Sequence, residues 1–151
     1  MRFLKTEELE ESWKSLIYPP KQLGDVTLDL TVKKILRFKN QGVLDFGGSE
    51  YHPADLEPLL PKIEDDPKYG WWNLSKGGYF VEYNETLPKT NNLVLIYPHQ
   101  RLLMTGCFQI PFIFRYSDDS KAIQGLLVVN KEGVRIKENA RISTAITILI
   151  D

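Results

Sequence analysis

Few residues in this chain are equipped for chemistry. His52, His99 and Cys107 are its only histidines and cysteine, too few for the usual zinc sites built from His and Cys. The zinc-deaminase pattern H-x-E … P-C-x-x-C has no match, and no Gly-rich phosphate loop is present. Acids gather at Glu64-Asp65-Asp66 and at Asp118-Asp119. The first run has the character of a solvated face, and Asp118-Asp119-Ser120 has that of a polar hairpin turn. The pair Trp71-Trp72 could stack a base or sugar, or could anchor a loop.

Whatever these residues do, strands must position most of them. A helix is predicted within the first twenty residues, with Thr6 as N-cap, Glu7 and Glu8 in the first turn, and Leu9, Trp13, Leu16 and Ile17 on one face. Pro19-Pro20 is expected to stop it. Val26 to Val32 alternates apolar and polar residues, and Ile35 to Phe38 extends it. Further strands are predicted at Tyr79–Tyr83, Asn92–Tyr97, Phe108–Tyr116, Leu126–Val129 and Ala145–Ile150, all rich in β-branched and aromatic residues. Prolines 53, 58, 61 and 67 break up the stretch 47–73, where only Ala54 to Leu60 could hold a short helix. Short strands between turns predict an all-β fold, a sandwich, jelly roll or barrel, with a short N-terminal helix.

A length of 151 residues predicts one domain, 1–151. With 42% hydrophobic and 26% charged residues the composition is that of a globular protein, which excludes disorder, collagen and coiled coil. A net charge of −1 argues against a general binder of nucleic acid or anionic membrane. Met1 to Glu8 holds no apolar run, so no signal peptide is expected; no stretch nears the ~18 residues of a membrane span, and a lone cysteine suits a reducing compartment. The expectation is a cytoplasmic protein.

Several phrases, in order, resemble the dUTP pyrophosphatase/dCTP deaminase superfamily. Gln22 to Leu30, ending in Asp29-Leu30, resembles the family's early "Q-P-x-S-x-D-L" strand. Leu74 to Val81, followed by Glu85-Thr86-Leu87-Pro88, resembles the deaminase branch's "L-x-P-G-x-F-x-L … E … L-P". Pro98 to Gly106 resembles "P-R-S-S-L-A-R-x-G". Ile123-Gln124-Gly125 through Asn130 resembles the strand that opens "Y-x-G" and closes on Asn, and Ala140 to Thr144 resembles "x-R-I-A-Q". The resemblance covers about Gln22 to Ile148. It implies a distorted jelly roll and a homotrimer with active sites between subunits. The apolar strand Ala145–Ile150 would otherwise leave an exposed edge.

The resemblance also implies a role for each matched residue. His99, Gln100 and Arg101 occupy the phosphate-handling positions, while Met104 stands where the family has an arginine. A guanidinium offers a bidentate fork to phosphate, and histidine can donate. Gly125 and Asn130 occupy nucleotide-binding positions. In the deaminase branch, however, the fifth residue after that glycine is the catalytic glutamate, and Asn130 cannot carry a proton between water and base. Deamination is therefore not expected. Hydrolysis of a deoxypyrimidine triphosphate (dUTP or dCTP) asks less: a carboxylate to direct water, magnesium on the phosphates, and cations to absorb charge. No acid stands directly before Gly125, so Asp118 or Asp119 would have to direct the water from a longer loop. Asp29 and Glu85 read chiefly as structural. No protein-built metal site is assigned. The alternative is a relative that keeps the fold for a regulatory, protein-binding or structural role without catalysis.

Overall fold

The computed structural model describes residues 1–87, 91–115 and 122–150. Within them the order is β1 (Arg2–Phe3), α1 (Thr6–Ser12), α2 (Pro19–Gln22), β2 (Thr27–Phe38), β3 (Leu56–Pro58), β4 (Lys62–Ile63), β5 (Gly70–Leu74) and β6 (Gly77–Tyr83). It continues with β7 (Asn92–Pro98), α3 (Gln100–Met104), β8 (Phe108–Gln109), β9 (Phe112–Arg115), β10 (Gln124–Val129), β11 (Val134–Lys137) and β12 (Arg141–Leu149). The fold is mostly β, as the sequence predicts.

The main sheet runs β8-β10-β6-β2-β12-β7-β9, with β1 paired to β12 and β3 to β2. Its two ends, β8 and β9, are separated in sequence by Ile110 and Pro111 alone. Three Cα steps cover only about 10 Å, so the ends must meet and the sheet curls on itself. Gln109 of β8 spans the seam, its Nε2 donating to the Ile96 carbonyl of β7 at 3.4 Å. Leu28, Leu30, Val32, Ile35, Val81, Val94, Ile96 and Leu127 fill the interior without exposure, and Trp13 closes one side, its Nε1 donating to Thr147 Oγ1 at 3.0 Å. A second, three-stranded sheet, β11-β5-β4, stands apart.

Several local expectations change in physical detail. The N-terminal helix ends at Ser12, and Ser15 takes a left-handed φ of 64°. Pro19 then starts α2 instead of ending α1, because proline's fixed φ suits the first helical position, where no N–H partner is needed. Ala54 to Leu60 forms no helix; its centre is β3, and Pro58 is tolerated on that short strand. Phe108 to Arg115 is two strands, since the chain crosses from one end of the sheet to the other at Ile110-Pro111.

Candidate functional site

Two bulges shape the site. On β12, Arg141 pairs with Thr31 and Ser143 with Leu30, so Ile142 is an extra residue. A bulge re-aims the side chains beside it, and here Ile142 is buried while Arg141 lies half-buried in a cleft. On β2 a second register shift falls between Val32 and Lys34. The three-residue link 138–140 then folds β11 back beside β12, helped by Asn139 at φ 66°, whose Oδ1 accepts from Asn84 Nδ2 at 2.8 Å. Asparagine tolerates this left-handed turn better than most residues.

The result is a cleft of about 440 Å³ between two walls. One wall is α3 with the start of β12, presenting Arg101, Leu102, Thr105, Arg141 and Ile142. The other is β11 over Trp71, presenting Arg135 and Lys137; Lys21 stands at the edge, and no carboxylate is among the lining residues. Arg135 lies 4.5 Å and Lys137 5.6 Å from the Trp71 ring centre. Outside the cleft Arg135 pairs with Glu64, and Lys137 with Asp66 at 3.0 Å. The Asp66 carboxyl is held below its ordinary range by the Lys68 backbone N–H and then by Lys137.

Behind the first wall lies a carboxylate hub. Asp29 Oδ2 accepts from Arg141 Nη1 at 3.1 Å and faces His99 Nε2 at 3.2 Å, while its Oδ1 accepts from Thr144 Oγ1 at 3.1 Å. His99 Nδ1 accepts from the Arg101 N–H at 3.0 Å. The neutral ring therefore carries its proton on Nε2, toward Asp29. Arg141 is further held by the Lys21 carbonyl at 3.0 Å.

The structure brings some of the sequence-predicted residues together and separates others. His99 caps α3 with both ring nitrogens engaged inside the chain, and Gln100 and Arg101 follow it, exposed. The Arg101 guanidinium has no partner among the described residues and faces the cleft. Asn130 is tied to the end of the same helix: its Nδ2 donates to the Thr105 carbonyl at 3.0 Å and its Oδ1 accepts from the Glu132 N–H at 2.7 Å. Gly106, at φ 80°, must be glycine there, since a Cβ would collide with the Asn130 amide. Gly125 lies elsewhere, against Tyr83 and Phe112, and lines a separate apolar hollow with Phe80 and Ile110. Asp118 and Asp119 lie outside the described residues.

Lys21, Arg135 and Lys137 had no functional signal in the sequence reading. The alternation Val134-Arg135-Ile136-Lys137 after Gly133 would have marked a strand with two cations on one face. Among the described residues, no group of three or more His, Cys, Asp or Glu could hold a metal ion, and the Asp29 carboxylate is already engaged by His99, Arg141 and Thr144. That donor set does not fit a protein-held magnesium. No helix among the described residues is long and apolar enough to cross a membrane.

No protein-family model matches the chain. It is 34% identical over 116 residues to a probable deoxyuridine 5'-triphosphate nucleotidohydrolase of Methanosarcina acetivorans, a match covering 76% of this chain and 65% of that protein. It is 32% identical, with the same coverage, to the protein so named in Methanosarcina mazei. The chain thus spans slightly less than two thirds of the length of these relatives. In fold it resembles the crystal structure of 2'-deoxycytidine 5'-triphosphate deaminase from Agrobacterium tumefaciens, with a TM-score of 0.68, 11% identity, and coverage of 99% of this chain and 48% of that one. Sequence relatives and fold both support the resemblance that the ordered phrases bear to the dUTP pyrophosphatase/dCTP deaminase superfamily.

Proposed function

We propose that the chain binds a deoxypyrimidine nucleoside triphosphate, dUTP before dCTP, in the cleft between α3 and β11, and hydrolyses it to monophosphate and pyrophosphate. The observation that carries this reading is the convergence of Arg101 and Arg141 on one carboxylate-free cleft. They come from two separate family-like phrases, forty positions apart. Arg101, with no internal partner, and Gln100 beside it would hold phosphate oxygens; Arg141, oriented by Asp29, would meet the same chain of phosphates. His99 would contribute by fixing the start of α3 and holding Asp29 in place. In hydrolysis a water oxygen attacks the α-phosphorus, the bond to the bridging oxygen breaks, pyrophosphate departs, and a carboxylate takes the water's proton. Asp118 or Asp119 is proposed for that last role. Magnesium enters this reading as the counter-ion carried by the substrate's phosphates. A homotrimer in the cytoplasm is part of the proposal, to be checked by light scattering.

A second reading has its own observation. Asn130, where the deaminase branch has its catalytic glutamate, is bound to Thr105 and Glu132, and the cleft lining contains no acid. A protein that binds the nucleotide without turning it over would have this arrangement. A screen for pyrophosphate release across deoxynucleoside triphosphates with magnesium, paired with thermal melting, separates the readings. Nucleotide at 100 times its dissociation constant should add about 2.7 kcal/mol of stability. Release with dUTP supports hydrolysis, a melting shift without release supports the second reading, and neither effect overturns both.

A further inference from the structure

The five cations of the cleft are not equivalent. Arg101 is unpartnered among the described residues, and Arg141 is fixed from behind by Asp29 and the Lys21 carbonyl. On the facing wall, Arg135 and Lys137 sit two residues apart on β11, so their side chains leave the same face of the strand. Both lie over Trp71, which pairs with Lys137 in the ladder and is half-buried. A ring face backs a cation without neutralising it. Their carboxylate partners, Glu64 and Asp66, approach from outside and do not line the cleft. Each cation therefore keeps donor capacity toward the cleft, because a guanidinium has five N–H donors and an ammonium three. The buried side chains of Leu102, Ile136 and Ile142 in the same cleft keep part of the lining dry, which strengthens charge interactions there.

We infer that β11 and Trp71 form the second jaw of a two-jaw clamp for a polyphosphate chain. Arg101 and Arg141 grip one end, and Arg135 and Lys137 grip the other. The inference rests on the nucleotide-cleft reading and deepens it: recognition depends on the length of the phosphate chain. One phosphate meets one jaw, whereas a triphosphate meets both. Glu64 and Asp66 act as competing internal anions that the ligand must outbid for Arg135 and Lys137.

The test uses inorganic tripolyphosphate and inorganic orthophosphate as probes on the whole chain, titrated by calorimetry and by fluorescence. Trp13 and Trp72 are buried, at 1% and 3% exposure, so Trp71 is the tryptophan placed to respond. Wild type is expected to bind tripolyphosphate at least tenfold more tightly than orthophosphate, with a change in emission that Trp71→Phe removes. Arg135→Gln with Lys137→Gln should weaken tripolyphosphate at least tenfold and leave orthophosphate unchanged. Glu64→Gln with Asp66→Asn should strengthen tripolyphosphate severalfold, a gain that a merely structural role for these ion pairs would not give. Circular dichroism and melting establish that each variant is folded. The clamp is overturned if wild type shows no preference for the longer chain, or if the Arg135/Lys137 variant binds tripolyphosphate as wild type does. Pyrophosphate release from dUTP is scored separately: its absence with the clamp behaviour intact counts against hydrolysis alone, and its presence without that behaviour counts against the clamp alone.

Discussion

Two carboxylates, Asp29 and Glu85, 56 positions apart in sequence, show how differently an acid can be used in this molecule. Glu85 is completely buried and meets neutral donors: the Thr31 N–H at 2.8 Å, the Thr31 hydroxyl at 2.5 Å and Gln22 Nε2 at 2.9 Å. Asp29 sits at the edge of the cleft, its side chain 16% exposed, and meets Arg141 and His99. The two are joined through Gln22, whose Nε2 also donates to the Asp29 carbonyl at 2.9 Å. Burial pushes the Glu85 carboxyl above its ordinary range, and the bonds from Thr31 and Gln22 only partly oppose that. Glu85 organises backbone: through Thr31 and Gln22 it locks β2 to α2. Asp29 organises cations. Neutral donors around a buried acid stabilise a fold, whereas cations around a partly exposed acid shape a binding surface.

Removing Glu85 should have the largest effect. Glu85→Ala leaves the two Thr31 donors and one Gln22 donor without their acceptor inside the protein. At about 1–3 kcal/mol for each unsatisfied group, with partial relaxation, the loss should be roughly 3–5 kcal/mol, measured by urea unfolding. A loss below 1 kcal/mol would break the distinction drawn between the two acids. Asp29→Asn should cost less, about 1–2 kcal/mol, because its surroundings are partly wet. It should weaken nucleotide binding more than it lowers stability, since Arg141 and His99 lose their common anchor. If stability falls as far as in Glu85→Ala and binding is unchanged, Asp29 belongs with the fold and not with the site.

Dependence on pH sharpens the same contrast. A carboxyl whose folded-state value is raised stays protonated in the native protein after the unfolded chain has lost its proton. The Glu85 contribution to stability is therefore greatest below its ordinary value of 4.5 and falls as pH rises from there through the raised value. Glu85→Gln should lack that fall, so the wild-type-minus-variant stability difference should decline with rising pH. A difference that is flat or rises over that range would remove Glu85 as its source. Asp66, held low, works in the opposite sense, since the stability it confers is lost as pH falls. The smallest effect on stability belongs to Arg101→Gln, within about 0.5 kcal/mol, because the guanidinium is exposed and unpartnered among the described residues.

The main sheet was legible in the sequence because its strands bury one face and alternate accordingly. Tyr79–Tyr83 and Asn92–Tyr97 fall within β6 and β7, and Leu126–Val129 within β10. The small sheet was not. Gly70–Leu74 holds a glycine and two adjacent tryptophans, and β4 has only two residues, so neither shows a usable period. The cleft was hidden for the same reason, because one of its walls is that sheet. Residues named through the family-like phrases reached one wall only, at Arg101. Arg141 lies within a family-like phrase, Ala140 to Thr144, but what aims it into the cleft is the bulge at Ile142, and a register shift cannot be read from residue types. Asp29 and Glu85 read alike as structural acids; only their partners separate them, and apart from Gln22 those partners lie 54 to 115 positions away from the acid they meet.

The central claim is that the cleft between α3 and β11 is a nucleoside triphosphate site in which Arg101 is the freest cation. Calorimetric titration of dUTP with magnesium into wild type and into Arg101→Gln tests it most directly. The expected result is saturable binding to wild type and at least a tenfold loss in the variant, about 1.4 kcal/mol, with its melting temperature unchanged. Equal affinity in the two proteins, or no binding to wild type at millimolar dUTP, would contradict it.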